Sequence, residues 1–161
     1  MATGHDGGWI KGMRAVVQRV KEARVEVNGK RLGAISRGLL VFLGIEHTDG
    51  EQDADYLVSK IVTLRIFEDS DHRCNLSLGD VKGGMLVVSQ FTLLADCRKG
   101  RRPSFAGAAP PEKARRLYDY FLASAARTTH TVASGEFQAS MEVVLVNDGP
   151  VTILLDSKRM F

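Results

Sequence analysis

The chain has 161 residues, of which 44% are hydrophobic and 25% charged, the make-up of one globular domain able to bury a sizeable core rather than two domains or a disordered tail. A formal charge of +3 permits a nucleic-acid partner without demanding one. The longest apolar runs, such as Gly38 to Ile45, are far below the roughly 18 residues needed to span a bilayer, so no membrane partner is expected.

Residues 1–12 (MATGHDGGWIKG) contain four glycines, lack the apolar stretch of a signal peptide and precede a second methionine, Met13. They read as a disordered extension or added segment, which leaves 13–161 as the folded domain. From Met13 the pattern is short and β-rich: Ala15 to Val20 and Ala23 to Val27 predict two strands, and Asn28-Gly29 is a tight-turn signal. Leu39 to Ile45 reads as a central strand buried on both faces, although periodicity alone also allows a buried helix.

At Glu51 to Leu64 the period changes. Ala54, Leu57, Val58, Ile61 and Val62 follow helical spacing behind acidic residues suited to a helix start. Arg65 to Phe67 is expected to be extended, Asp69 to Gly84 a polar connection, and Gly84 to Leu94 an apolar strand. Asp96 to Pro111 reads as irregular. Beyond it Ala114, Leu117, Tyr118, Phe121, Leu122 and Ala125 form an apolar helical stripe whose first turn tolerates proline. Met141 to Val146 and Val151 to Leu155 predict two strands joined by Asn147-Asp148-Gly149-Pro150. About six to eight strands with two helices make an α+β domain.

No common catalytic signature is present: no G-x-S-x-G elbow, H-E-x-x-H, P-loop or dinucleotide fingerprint. Cys74 and Cys97 suit neither a disulfide framework nor a CxxC pair, which favours a reducing compartment. His72 and Cys74 fall short of the three or four ligands of a zinc site, so no metal or other cofactor is expected.

Three features stand out instead. Ser89, Gln90 and Thr92 interrupt the apolar run VVSQFTLL; they either satisfy backbone groups where a strand leaves the sheet, or form a polar floor for a ligand carbonyl. Gly149-Pro150 is either a tight hairpin turn, for which a cis bond would be suitable, or a device that turns two carbonyl oxygens to one side as fixed acceptors. Arg98, Lys99, Arg101 and Arg102, with Lys113, Arg115 and Arg116 nearby, are either solvated surface or a phosphate-binding patch.

Taken together, Ser89 to Leu93 (SQFTL) and Asn147 to Thr152 (NDGPVT) resemble the two signature motifs of the D-aminoacyl-tRNA deacylases, also called D-tyrosyl-tRNA deacylases. Gln18-Arg19-Val20, Gly38 to Glu46, Asn75-Leu76-Ser77, Arg102 to Phe105 and Leu117 to Phe121 match in the same order, so the resemblance runs from about Met13 to Asp156. Cys74, Ile153 and Leu154 depart from commoner residues of that family.

The resemblance implies a cytoplasmic homodimer with a β-barrel-like core of mostly antiparallel strands that hydrolyses the ester of D-aminoacyl-tRNA. It also implies cleavage of glycyl-tRNA, because glycine has no side chain to exclude. The Gly149-Pro150 bond is then cis and enters the partner subunit's pocket, with Arg19 orienting it. Ser89, Gln90, Phe91 and Thr92 line the other side. The motif holds no histidine or lysine to serve Thr92 as a base, which favours water attack assisted by the substrate's ribose hydroxyl. Relatives with a trans Gly-Pro that act on mischarged L-alanyl-tRNA are less well matched. A non-catalytic nucleic-acid-binding homodimer is the alternative from another class, and a peptidyl-tRNA hydrolase a third.

Overall fold

The computed structural model describes residues 12–161; residues 1–11 of the expected extension lie outside the described part. Gly12 itself is buried, and its N–H donates to Asp156 Oδ2 at 3.3 Å.

The two predicted N-terminal strands are one, β1 (Arg14–Val27). Asn28 and Gly29, at φ 50° and 76°, form the anticipated turn, because left-handed φ at both central residues matches the twist of a two-residue hairpin. The turn leads into β2 (Lys30–Ile35), and the chain returns as β3 (Gly38–Gly44). Helix α1 (Glu51–Thr63) follows, its start capped by Asp53, whose Oδ2 accepts the Gly50 N–H at 2.8 Å. The polar connection holds a small ribbon of β4 (Phe67–Glu68) and β5 (Cys74–Leu76).

The next strand, β6 (Gly84–Ser89), is shorter than expected. Phe91–Leu94 coils into one 3-10 turn instead of continuing the sheet. Helix α2 (Pro111–Thr128) agrees with its stripe. An unanticipated strand, β7 (Thr131–Ser134), and β8 (Glu142–Asp156) complete the chain.

The hairpin reading of residues 147–150 is overturned. Both halves of β8 run antiparallel to β1, so the segment never reverses direction. Gln18 faces Thr152 while Val20 faces Asn147, and Asp148 to Val151 therefore loop out opposite Arg19 alone. Turn-forming residues appear here because a bulge needs the same backbone freedom as a turn.

β1 pairs with β3 through Arg14 to Val20 and with β2 through Ala23 to Val27. β3, β6 and β7 follow in parallel, as the α1 and α2 crossovers require. β2 comes back against β7, where a Cβ on Gly33 would lie 2.6 Å from Ser134 O, and the mixed sheet thus nearly closes into a barrel. The expected mostly antiparallel pairing is met by β1, β2, β3 and β8.

Strand alternation divides the core in two. Leu39, Val41, Leu43, Met85 and Val87 face the helices and meet Leu57, Ile61, Leu117 and Phe121. Leu40, Leu86 and Val88 point into the barrel with Val20, Val25 and Ile35. This is why β3 reads as one continuous apolar run. Each such side chain contributes on the order of 2 kcal/mol on burial.

Candidate functional site

A cleft of about 640 Å³ opens at the end of β3 and β6. Leu43, Ile45 and Val88 form its inner wall, Ser89, Gln90 and Phe91 one side, and Phe105, Ala108, Ala109 and Pro111 another. Phe137, Gln138, Ala139 and Met141 close it over the top. It has the size and largely apolar lining of a small-ligand site with a few polar groups.

The polar residues of VVSQFTLL lie where the strand becomes the 3-10 turn. Gln90 N–H donates to Leu43 O at 2.8 Å, which completes the pairing of β3 with β6. The turn then leaves its first N–H groups, those of Phe91 and Thr92, without a protein acceptor among the described residues. Thr92, next to Phe91 in the same turn, stands at the edge of the cleft rather than in its lining; its hydroxyl accepts a hydrogen bond from the Gln90 side-chain amide. Phe91 is 58% exposed and meets Phe105 edge-on, with ring centroids 5.1 Å apart.

Gly149 and Pro150 lie elsewhere. They are exposed at the bulge of β8, joined by a cis bond, and do not line the cleft of their own chain. Beneath them Arg19 is only 4% exposed; its guanidinium donates to Asp148 O at 3.2 Å and Ile66 O at 2.7 Å, and Asp148 Oδ2 is 3.5 Å away. Asn147 Nδ2 bridges Arg19 O and Val151 O at 2.9 and 3.0 Å. The bulge is thus held at its base while its tip is free. Arg19 and Gly149-Pro150 come together, Ser89 to Phe91 come together, and no single chain unites the two sets.

The basic segment forms a loop closed by paired backbone bonds between Asp96 and Ser104, at 2.7 and 2.9 Å. Phe105, directly after that closure, lines the cleft, so the base of the loop adjoins it; Lys99, Arg101 and Arg102 on the loop are all exposed. Arg98 is bound to Asp96 through two bonds of 2.9 and 2.7 Å and is the least available of the four. Lys113 donates to His47 O.

Sequence reasoning did not find Phe137 to Met141. Residues 135–140 carry no periodicity, and only the short β7 brings them over the cleft, where Gly135 N–H meets Val87 O at 3.1 Å. Nor did it find the buried acids behind the opposite wall. His47 N–H donates to Gly107 O and Ala109 N–H to Ile45 O, which joins the 46–49 turn to the cleft lining. That turn is closed by Asp49, whose Oδ2 accepts the Glu46 N–H at 2.7 Å and whose Oδ1 has no partner among the described residues.

Burial pushes the Asp49 carboxyl up to about 7, with Asp53 and Glu46 adding repulsion. An unfolded aspartate ionises near 3.9, so the fold prefers the neutral acid, and this contribution to stability is lost as pH rises from about 4 to about 7. Asp49→Asn is therefore expected to gain stability over the parent progressively across that window and level off above it. Discounted for screening, the gain at pH 8 is about 2 kcal/mol. Denaturant melts at pH 4, 6 and 8 measure it; a gain independent of pH would remove the ionisation argument.

Fold and cleft define a single-domain α+β protein with a nearly closed mixed barrel and a ligand-sized cleft beside a cationic loop. Comparison with known proteins takes this further. A family model described as D-Tyr-tRNA(Tyr) deacylase matches residues 16–156. D-aminoacyl-tRNA deacylases of Syntrophobacter fumaroxidans and Thermosipho melanesiensis are 60% and 58% identical, over 92% of this chain and 100% of theirs in both cases. A solved structure named c-Myc DNA Unwinding Element Binding Protein is 42% identical and superposes with a TM-score of 0.84 over 88% of this chain and 97% of its own. A probable eukaryotic D-amino acid tRNA deacylase, 18% identical, shares the fold at 0.79 over 89% of this chain and 98% of its own. The chain belongs to the D-aminoacyl-tRNA deacylase family, hydrolases that cleave the ester between a D-amino acid and tRNA in translation proofreading. The motif resemblance is borne out.

Proposed function

We propose that the enzyme acts as a homodimer in which Gly149-Pro150 of one subunit enters the cleft of the other and completes it. The observation that carries this is the separation just described: the two motif halves lie apart within one chain. Flanking the bulge on β8, Val144, Val146 and Leu154 are 37, 44 and 51% exposed, an apolar strip on a long strand that needs cover. A two-fold pairing of these strips would make each bulge serve the opposite cleft.

In that pocket the carbonyl oxygens of Gly149 and Pro150 receive the substrate's α-ammonium group. The N–H groups of Phe91 and Thr92 receive the ester carbonyl and, as water attacks, its developing negative charge. An L side chain is then driven against the Gly-Pro backbone, whereas a D side chain points outward and its identity matters little. Glycine meets no obstacle, so glycyl-tRNA mischarged on tRNA-Ala is also cleaved. Lys99, Arg101 and Arg102, with Arg98, contact the phosphates of the acceptor end. The working domain is residues 13–161, and its place is the cytoplasm.

The Thr92 hydroxyl accepts from the Gln90 amide, which cannot serve it as a base, and this supports attack by water over attack by Thr92. The terminal ribose hydroxyl of the substrate orients the water instead. Thr92→Ala is expected to keep D-tyrosyl-tRNA hydrolysis within about tenfold of the parent, since one hydrogen bond at the pocket edge is removed. Complete loss with fold and tRNA binding intact would establish a Thr92 nucleophile.

A second reading, nucleic-acid binding without this chemistry, draws on the name of the 42%-identical neighbour. Salt-sensitive binding suits both readings. Release of D-tyrosine from D-tyrosyl-tRNA separates them.

A further inference from the structure

Three residues lying side by side across three strands make a seat for the 3-10 turn that carries Phe91 and Thr92. Arg14 on β1 faces Gly44 on β3 and Asp156 on β8. A Cβ on Gly44 would lie 2.6 Å from Leu94 Cδ2, 2.9 Å from Leu93 Cβ and 3.0 Å from Gln90 O, so the turn rests on bare backbone. Beside it, Arg14 Nη1 donates to Leu93 O at 3.0 Å, reaching across 79 residues of sequence.

The guanidinium is itself aimed. Arg14 Nε is 3.5 Å from Asp156 Oδ2, and the Asp156 side chain is fully buried. That carboxylate is held by two backbone donors, Gly12 N–H at 3.3 Å and Lys158 N–H at 2.7 Å. A planar fork can serve the carboxylate and the Leu93 carbonyl at once, which a lysine ammonium does with less directional control. The backbone bonds of the turn to the chain around it, Leu93 N–H to Gln90 O and Ala95 N–H to Thr92 O, are local and leave its orientation to its seat.

We propose that Arg14, aimed by Asp156, is a positioning residue for the reaction: it sets the orientation of the Phe91–Leu94 turn and hence the direction of the N–H groups that receive the ester carbonyl. This rests on the reading of Ser89 to Thr92 as the chemical side of the pocket. Arg14 is outside the proposed tRNA-contacting set, so its loss acts on turnover and leaves substrate affinity alone.

The test uses the full chain with Arg14→Met, which keeps the apolar stem, and Arg14→Lys, which keeps the charge. D-tyrosyl-tRNA hydrolysis is measured for kcat and KM, with amide hydrogen exchange followed across residues 90–95. Arg14→Met is expected to exchange faster there and to lose about 10- to 100-fold in kcat at a KM within about twofold, with Arg14→Lys recovering a large part. Unchanged exchange overturns the tether. Faster exchange with unchanged kcat also overturns the proposal, and locates the failure in the reading of Ser89 to Thr92. Should Arg14→Met not fold, Asp156→Asn, which keeps one of the two acceptor oxygens and removes the charge facing Arg14, is expected to lower kcat with unchanged KM; an unchanged kcat there would overturn the aiming role.

Discussion

Gly149→Ala is expected to lower D-tyrosyl-tRNA hydrolysis by about 100-fold while leaving a folded protein, because a misplacement of about 1 Å at a binding wall can cost that much. Gly149 sits at φ +122°, and a Cβ there would lie 2.9 Å from Val151 Cγ2 and 3.0 Å from Arg19 Nη2. An alanine thus strains the backbone by about 1–3 kcal/mol or displaces the guanidinium that holds the bulge. Circular dichroism and thermal melting report the fold, and single-turnover hydrolysis reports the site. Activity within about threefold of the parent, with the fold unchanged, would show that the bulge is no part of the pocket.

Arg19→Ala is expected to be costlier to the fold. Two carbonyls, Ile66 O and Asp148 O, lose their donor, and Asp148 and Glu68 lose the cation they face at 3.5 and 3.9 Å. Because the guanidinium is buried, the change also empties the space beneath the bulge. A loss of about 2–4 kcal/mol follows, with hydrolysis reduced even among folded molecules. Arg19→Lys can restore one of the two carbonyl contacts and is expected to fall between. If stability drops but kcat per folded molecule is unchanged, Arg19 supports the strand and does not serve the site.

The two predictions bear on a residue pair whose meaning is visible at different levels. That Arg19, Gly149 and Pro150 belong together was legible from the motif resemblance. That they meet across β1 and β8, with Asp148 to Val151 looped out against one residue, was not. Asn-Asp-Gly-Pro has the local chemistry of a reversal, and only the continuous pairing of β8 with β1 tells a bulge from a turn. The same competition shortened β6. VVSQFTLL has no local stop after Ser89, and the strand ends because Gln90 completes the pairing with β3 and the next residues fold onto Gly44.

Residue pattern alone determined what depends on neighbours along the chain: the periods of α1 and α2, the Asn28-Gly29 turn, the doubly buried β3 and the cationic loop. These follow from side-chain spacing, which acts over a few residues. Tertiary structure decided what depends on contacts between distant segments. It joined the predicted strand pairs into β1 and β8, added β7, and laid residues 137–141 over the cleft. It also buried Asp49 and brought Arg14 to Leu93. Nothing local marks those residues, since a half-buried arginine at the start of a strand looks like any surface cation until the strands on either side supply its two acceptors.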